Sequence, residues 1–141
     1  MIAPIDVHAV LQESVPGPYA DLVTRHTGRA VRERIERAIA DATVASMDFT
    51  GVRCIDYSCA DEIVAKLLRT VQILLLQGIT EAHRLAIEPV LQGHGLAVVI
   101  QTGTLLEVLG PPDAAEVICE RLLESRLAER TAGGTLALTA A

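Results

Sequence analysis

The chain has 141 residues, of which half are hydrophobic, and it carries 18 acidic and 12 basic side chains for a formal net charge of −6. This length suits one domain that needs no disulfide or metal ion for stability. The negative charge argues against sequence-independent binding of nucleic-acid phosphates, and aromatic residues, at 2%, are too few for a base-stacking surface.

Cysteine usage and the N-terminus predict a cytoplasmic protein. The chain has three cysteines, Cys54, Cys59 and Cys119, and no Cys-x-x-Cys pair. An odd number without such a pair favours a reducing compartment. The first residues lack the basic and apolar regions of a signal peptide. The apolar run 71–76 is too short to cross a bilayer, so no membrane association is expected. The four histidines have no zinc-binding spacing, and we expect no metal and no cofactor.

The N-terminal third predicts a β-hairpin followed by a helix. Apolar residues alternate weakly over 6–12, and a second strand is predicted over 19–25. Pro16-Gly17-Pro18 between them is typical of a turn. Thr27 is then a suitable N-cap for an amphipathic helix over 28–40.

The middle of the chain predicts a buried strand and a long helix. Residues 43–49 are short, apolar and partly β-branched, as in a parallel strand that is buried on both faces. Thr50-Gly51 turns the chain, and 54–56 is a brief extended segment. A helix from about 59 to 77 is predicted next, and Gly78 would end it.

The pattern is less decisive after Thr80. A helix over 80–92 is favoured, although Pro89 lies inside it. Alternatively, 84–88 is a strand and Pro89 begins the next helix, because proline is common in a first helical turn. Residues 96–100 form a predicted strand in either case.

The C-terminal region completes a layered fold. Residues 104–109 are predicted to pair back on the preceding strand, and a last helix is predicted over 113–128. The small, uncharged residues of 131–141 are expected to be a disordered tail, so that 1–130 is the domain. The predicted fold class is α/β, with a single mixed sheet, an N-terminal hairpin and helices packed on the sheet.

The segment 47–62 carries the densest chemical pattern. A buried strand ends at Asp48, a glycine turn follows, and Ser58 opens the predicted long helix. Ser58 and Asp61 have the spacing of a capping box. A hydroxyl at a helix N-terminus lies beside unpaired N–H groups, which favour an anion such as phosphate.

The same segment resembles a known family. Asp48-Phe49-Thr50-Gly51-Val52, followed by Ile55-Asp56-Tyr57-Ser58, is similar to the signature of the STAS domain, named for sulfate transporters and anti-sigma factor antagonists. Ser58-Cys59-Ala60-Asp61-Glu62 resembles a divergent, STAS-like branch, as does the strand-to-helix step over 22–32. The resemblance covers about residues 6–77.

The resemblance implies a bacterial regulatory module that binds a protein and is not an enzyme. The implied partner is an anti-sigma factor that is also a serine kinase-like ATPase, and phosphorylation of Ser58 would break the complex. The residues implied to contact the partner surround this serine: Asp56, Tyr57, Ser58, Cys59, Asp61 and Glu62.

Three alternatives stay open on the residues alone. Ser58 could be an ordinary N-cap without modification. The protein could be a ligand-sensing or dimerising module, whose homodimer forms through the apolar surface of 73–76. Least favoured is a small cysteine-dependent enzyme, in which the helix start lowers the pKa of the Cys59 thiol, because the sequence shows no nucleophile paired with a base.

Overall fold

The computed structural model describes residues 2–15, 17 and 20–139. Its strands are β1 (Ile2–Asp6), β2 (Asp21–Leu22), β3 (Val44–Asp48), β4 (Cys54–Ile55), β5 (Ile73–Gln77), β6 (Val98–Thr102), β7 (Leu105–Leu109), β8 (Ala128–Arg130) and β9 (Leu136–Leu138). Its α-helices are α1 (Val7–Ser14), α2 (Arg25–Ile39), α3 (Tyr57–Ala60), α4 (Glu81–His94) and α5 (Pro112–Glu124). After α3 the chain continues through a π-helical turn, Asp61–Ala65, and a 3₁₀ turn, Leu67–Arg69.

A mixed sheet organises the fold. Within the described residues it has seven strands in the order β1-β3-β5-β6-β7-β9-β8, and β2 pairs with β4 in a separate two-stranded sheet. The strands β1, β3, β5 and β6 are parallel, whereas β7, β9 and β8 are joined by antiparallel pairing. The predicted α/β class, the buried parallel strand at 43–49 and the return of 104–109 onto the preceding strand are confirmed.

The two faces of the sheet carry separate cores. On one face, Met47, Leu74 and Leu76 pack with buried residues of α1, α2, α3 and α4. On the other face, Ile73 and Leu75 pack with buried residues of α5. Because successive residues of a strand point to opposite faces, β5 must be apolar along its whole length.

The predicted N-terminal hairpin is wrong. β1 runs parallel to β3, and the segment predicted as its first strand is helix α1. Asp6 caps this helix, its Oδ1 accepting the Ala9 N–H at 3.1 Å, and Val7 and Leu11, four residues apart, are both buried. Pro16, Pro18 and Tyr19, on which the predicted turn and second strand partly depend, lie outside the described residues.

The predicted long helix over 59–77 is also wrong. Helical structure ends at Arg69, and Ile73–Gln77 is a strand between β3 and β6. Four consecutive apolar side chains suit a buried strand as well as a buried helix, and periodicity does not separate the two. Since residues 73–76 are buried inside the fold, they offer no surface for the dimer considered above.

The C-terminal half agrees with the prediction in most respects. Residues 84–88 belong to helix α4 and not to a strand, and Pro89 lies inside this helix, as the favoured prediction had it. The prediction of α5 as the last helix is confirmed. The expected disordered tail is not found over the described part of 131–141, because β9 pairs with both β7 and β8. Leu136 is buried on the face that α5 covers, which explains why this segment is held in the sheet.

Candidate functional site

The small sheet brings the N-termini of α2 and α3 together. Leu22 of β2 is the register partner of Ile55 of β4, so the residues that follow each strand lie side by side. The N–H of Thr24 donates to Oδ2 of Asp56 at 2.9 Å. This bond connects the loop before α2 to the loop before α3, two segments that are 32 residues apart.

Asp56, and not Ser58, caps helix α3. Its Oδ1 accepts the Cys59 N–H at 2.8 Å and the Ser58 hydroxyl at 3.0 Å. Burial alone would raise the pKa of Asp56, but the hydrogen bonds from Cys59, Thr24 and Ser58 outweigh it and hold the pKa below its usual value. Ser58 lies at the start of a helix, as predicted, but its predicted role as the N-cap is wrong.

Thr24 has a backbone conformation that β-branched residues rarely adopt. Its φ is 71° and its ψ is 142°, and such strain persists only where the surroundings over-determine it. Besides the bond to Asp56, its Oγ1 accepts the Thr27 N–H at 3.3 Å, and its carbonyl accepts the Gly28 N–H at 3.1 Å and the Cys59 thiol at 3.0 Å. Thr24 therefore caps α2, whereas the sequence predicted Thr27.

Helices α2 and α3 meet at a position that only glycine fits. A Cβ on Gly28 would lie 2.9 Å from Cys59 Cα and 3.2 Å from Glu62 Cβ. Cys59 is fully buried in this contact. Burial, together with the charge of Asp56, raises the pKa of its thiol to about 12, so the pKa is shifted in the direction opposite to the one considered for Cys59.

Glu62 lies at the centre of a buried ionic cluster. Its side chain is inaccessible to solvent, and its carboxylate accepts hydrogen bonds from Lys66 at 2.5 Å, Arg25 at 2.8 Å and Arg32 at 3.2 Å. Burial would raise the pKa of Glu62, but these three cations keep it below the usual value. A buried carboxylate is tolerated here because it is paired and hydrogen-bonded.

Asp61 extends the cluster to helix α4. Arg25 donates to its Oδ2 at 2.7 Å, and Nε2 of His94 lies 2.8 Å from its Oδ1. Burial would raise the pKa of Asp61, and the bonds with Arg25 and His94 lower it below its ordinary value. The predicted capping box is wrong, because the Ser58 hydroxyl donates to Asp56 and the Asp61 carboxylate is held by Arg25 and His94.

The predicted contact residues divide by accessibility. Tyr57 is 51% exposed, and Asp56 and Ser58 are partly exposed. Cys59, Asp61 and Glu62 are buried and lie beneath this part of the surface.

The sequence interpretation did not include the side chains that pair with the two acids: Arg25, Arg32, Lys66 and His94. One signal could have found them. Adjacent acids in an apolar segment require cations elsewhere in the fold.

The chain matches no family model, and comparisons with curated proteins and with solved structures found no match. Over the described ranges, no group of three or more His, Cys, Asp or Glu side chains is arranged to hold a metal ion. In the same part of the chain, no helix combines the length and the apolar character needed to cross a membrane.

Proposed function

We propose that the protein is a STAS-like regulatory module that binds a protein partner through the surface around the start of α3. The observation that carries this proposal is the exposure of two apolar side chains near the Thr24–Asp56 hydrogen bond: Val23 in the loop before α2, and Tyr57, the first residue of α3. Exposed aromatic side chains are enriched in protein interfaces. The resemblance at 48–62 supports the same assignment.

Hydrogen bonds and ion pairs beneath the loops before α2 and α3 hold them in one arrangement, which favours binding. Asp56 holds both loops, and the buried cluster around Glu62 holds the helices that follow them. A surface that is already ordered loses little conformational entropy when it binds. We therefore expect the partner to meet the loops in the arrangement seen in the free protein.

Phosphorylation of Ser58 is the proposed switch, and the partner would be an anti-sigma factor with serine kinase-like ATPase character. The hydroxyl is partly exposed and donates to Asp56. A phosphoryl group would remove this donor and add a charge of about −1.5 to −2. The phosphate would then repel the Asp56 carboxylate and disturb the capping of α3 as well as the contact with Thr24.

Affinity capture with defined variants tests the proposal. We expect wild-type protein to recover a kinase-like ATPase, and Tyr57→Ala and Ser58→Glu to reduce its recovery at least tenfold. Leu85→Ala is the matched control, because Leu85 is also an exposed apolar side chain but is distant from Tyr57. The Tyr57 hydroxyl lies near Gly93, and Leu85 is about 12 Å from Gly93 along α4. Equal recovery with all four proteins would refute the proposed surface, and recovery of the chain alone would favour a dimerising module.

A further inference from the structure

The acidic residues of the site do not face outward. The local sequence Asp61-Glu62 suggests a negative surface that would attract a basic partner. In the structure Glu62 is fully buried and the Asp61 side chain is only 12% exposed. Arg25, Arg32 and Lys66 neutralise them from within the protein.

Two hydrogen-bond partners of Asp61, in contrast, reach the surface. The side chains of Arg25 and His94 are each 41% exposed, and both meet at the Asp61 carboxylate. Arg29 is exposed one turn further along α2 and makes no ion pair with another described residue. Asp56 is partly exposed, but three protein groups already donate hydrogen bonds to its two oxygens.

The exposed tyrosine lies near Arg25. The hydroxyl of Tyr57 lies 3.7 Å from the position that a Cβ on Gly93 would occupy, so Tyr57 lies against the last turn of α4. Asp56, the residue before Tyr57, accepts a hydrogen bond from Thr24, the residue before Arg25. An exposed apolar group and a partly exposed guanidinium therefore lie on neighbouring segments of the surface.

We infer that the segment docking on this surface is acidic: a protein segment with a carboxylate next to an apolar side chain. The carboxylate would bind the guanidinium groups of Arg25 and Arg29, and the apolar side chain would pack on Tyr57. This inference rests on the proposed function. It also predicts that phosphorylation of Ser58 weakens binding, because the phosphate repels an acidic segment and competes for the same donors.

Photo-crosslinking from position 57 tests the inference. The full-length protein, with Tyr57 replaced by the photoreactive residue p-benzoylphenylalanine, is expressed in its native cells and irradiated, and the crosslinked peptide is sequenced. We expect a partner peptide with net negative charge and a carboxylate within a few residues of the crosslink. A neutral or basic peptide overturns the inference but leaves the proposed function standing. No adduct, or an adduct with a second copy of this chain, overturns both.

A charge exchange with the crosslinked partner gives an independent readout. Arg29→Glu is expected to weaken binding at least tenfold. Arg37→Glu is the matched control, since it is an exposed arginine about 12 Å further along the same helix, and it should leave binding unchanged. Replacing the partner's carboxylate by arginine should restore binding to the Arg29→Glu protein. Equal effects of the two substitutions, or no rescue, would show that the surface charge does not select the partner.

Discussion

At the scale of single residues, one carboxylate joins the starts of two helices. Asp56 caps α3 and also holds the strained Thr24. We expect Asp56→Ala to lower the free energy of unfolding by about 2 kcal/mol, the upper range for loss of an N-cap. Ser58→Ala removes only one hydrogen bond and should cost less than about 1 kcal/mol. Urea denaturation of both variants measures the difference, and a larger effect of Ser58→Ala would contradict the assigned cap.

A second carboxylate, that of Glu62, forms ion pairs with three cations, Arg25, Arg32 and Lys66. Glu62→Gln keeps the shape of the side chain but removes its charge, which leaves Lys66 without its carboxylate and leaves Arg25 with Asp61 and Arg32 with Glu36 as their remaining acids. We expect a loss of about 3 kcal/mol in the free energy of unfolding. Glu36→Gln is the control, because Glu36 pairs with Arg32 alone and is partly exposed, and it should cost less than about 1 kcal/mol. Similar losses for both variants would mean that the cluster contributes little.

The same residues set the expectation for a phosphomimetic. Ser58→Glu cannot donate to Asp56 and places a second negative charge beside it. A residue at a helix start would usually gain from negative charge, but here the nearest group is a carboxylate. We therefore expect Ser58→Glu to be less stable than Ser58→Ala, with a circular dichroism spectrum that stays native. Thermal melts of the pair measure this, and a more stable glutamate variant would show that the helix start dominates.

At the scale of secondary-structure elements, the contact of α2 with α3 depends on Gly28. Alanine normally stabilises a helix interior by about 1 kcal/mol relative to glycine, but here its Cβ would meet Cys59 Cα at 2.9 Å. Gly28→Ala should therefore destabilise the protein by about 1–3 kcal/mol. Gly93→Ala in α4 has ordinary contact distance to its neighbour and should be neutral or slightly stabilising. Chemical denaturation compares them, and a stabilising Gly28→Ala would disprove the tight contact.

At the scale of the whole molecule, the three acids of the site contribute to the change of stability with pH. The pKa values of Asp56, Asp61 and Glu62 all lie below their ordinary values in the folded state. Their contribution is complete above the unfolded pKa values, about 4, and is lost as the pH falls through the lower folded values. We expect the free energy of unfolding to decrease below about pH 4, with a shallower decrease in Glu62→Gln. Urea titrations over this pH range measure both, and identical slopes would contradict the expectation.

The sequence by itself determined the elements that carry a complete local signal. Helix α2 has an apolar stripe of Val31, Ile35 and Ile39, all buried in the structure. Strand β3 and the pair β6–β7 were likewise predictable, because each is short, apolar and bounded by turn residues. Ser58 does lie at a helix start, but the capping box with Asp61 that predicted this position is not formed.

Tertiary structure decided whether residues 73–77 form a strand or a helix and whether Asp61 and Glu62 are buried or exposed, because the local sequence suits either outcome. The apolar run of β5 became a strand only because β3 and β6 offer hydrogen-bonding partners on both sides. Asp61 and Glu62 look like exposed acids in the sequence. They are buried because Arg25 and Arg32, some 30 residues earlier in the chain, return to neutralise them, and a charge can leave water only where the fold supplies its partner.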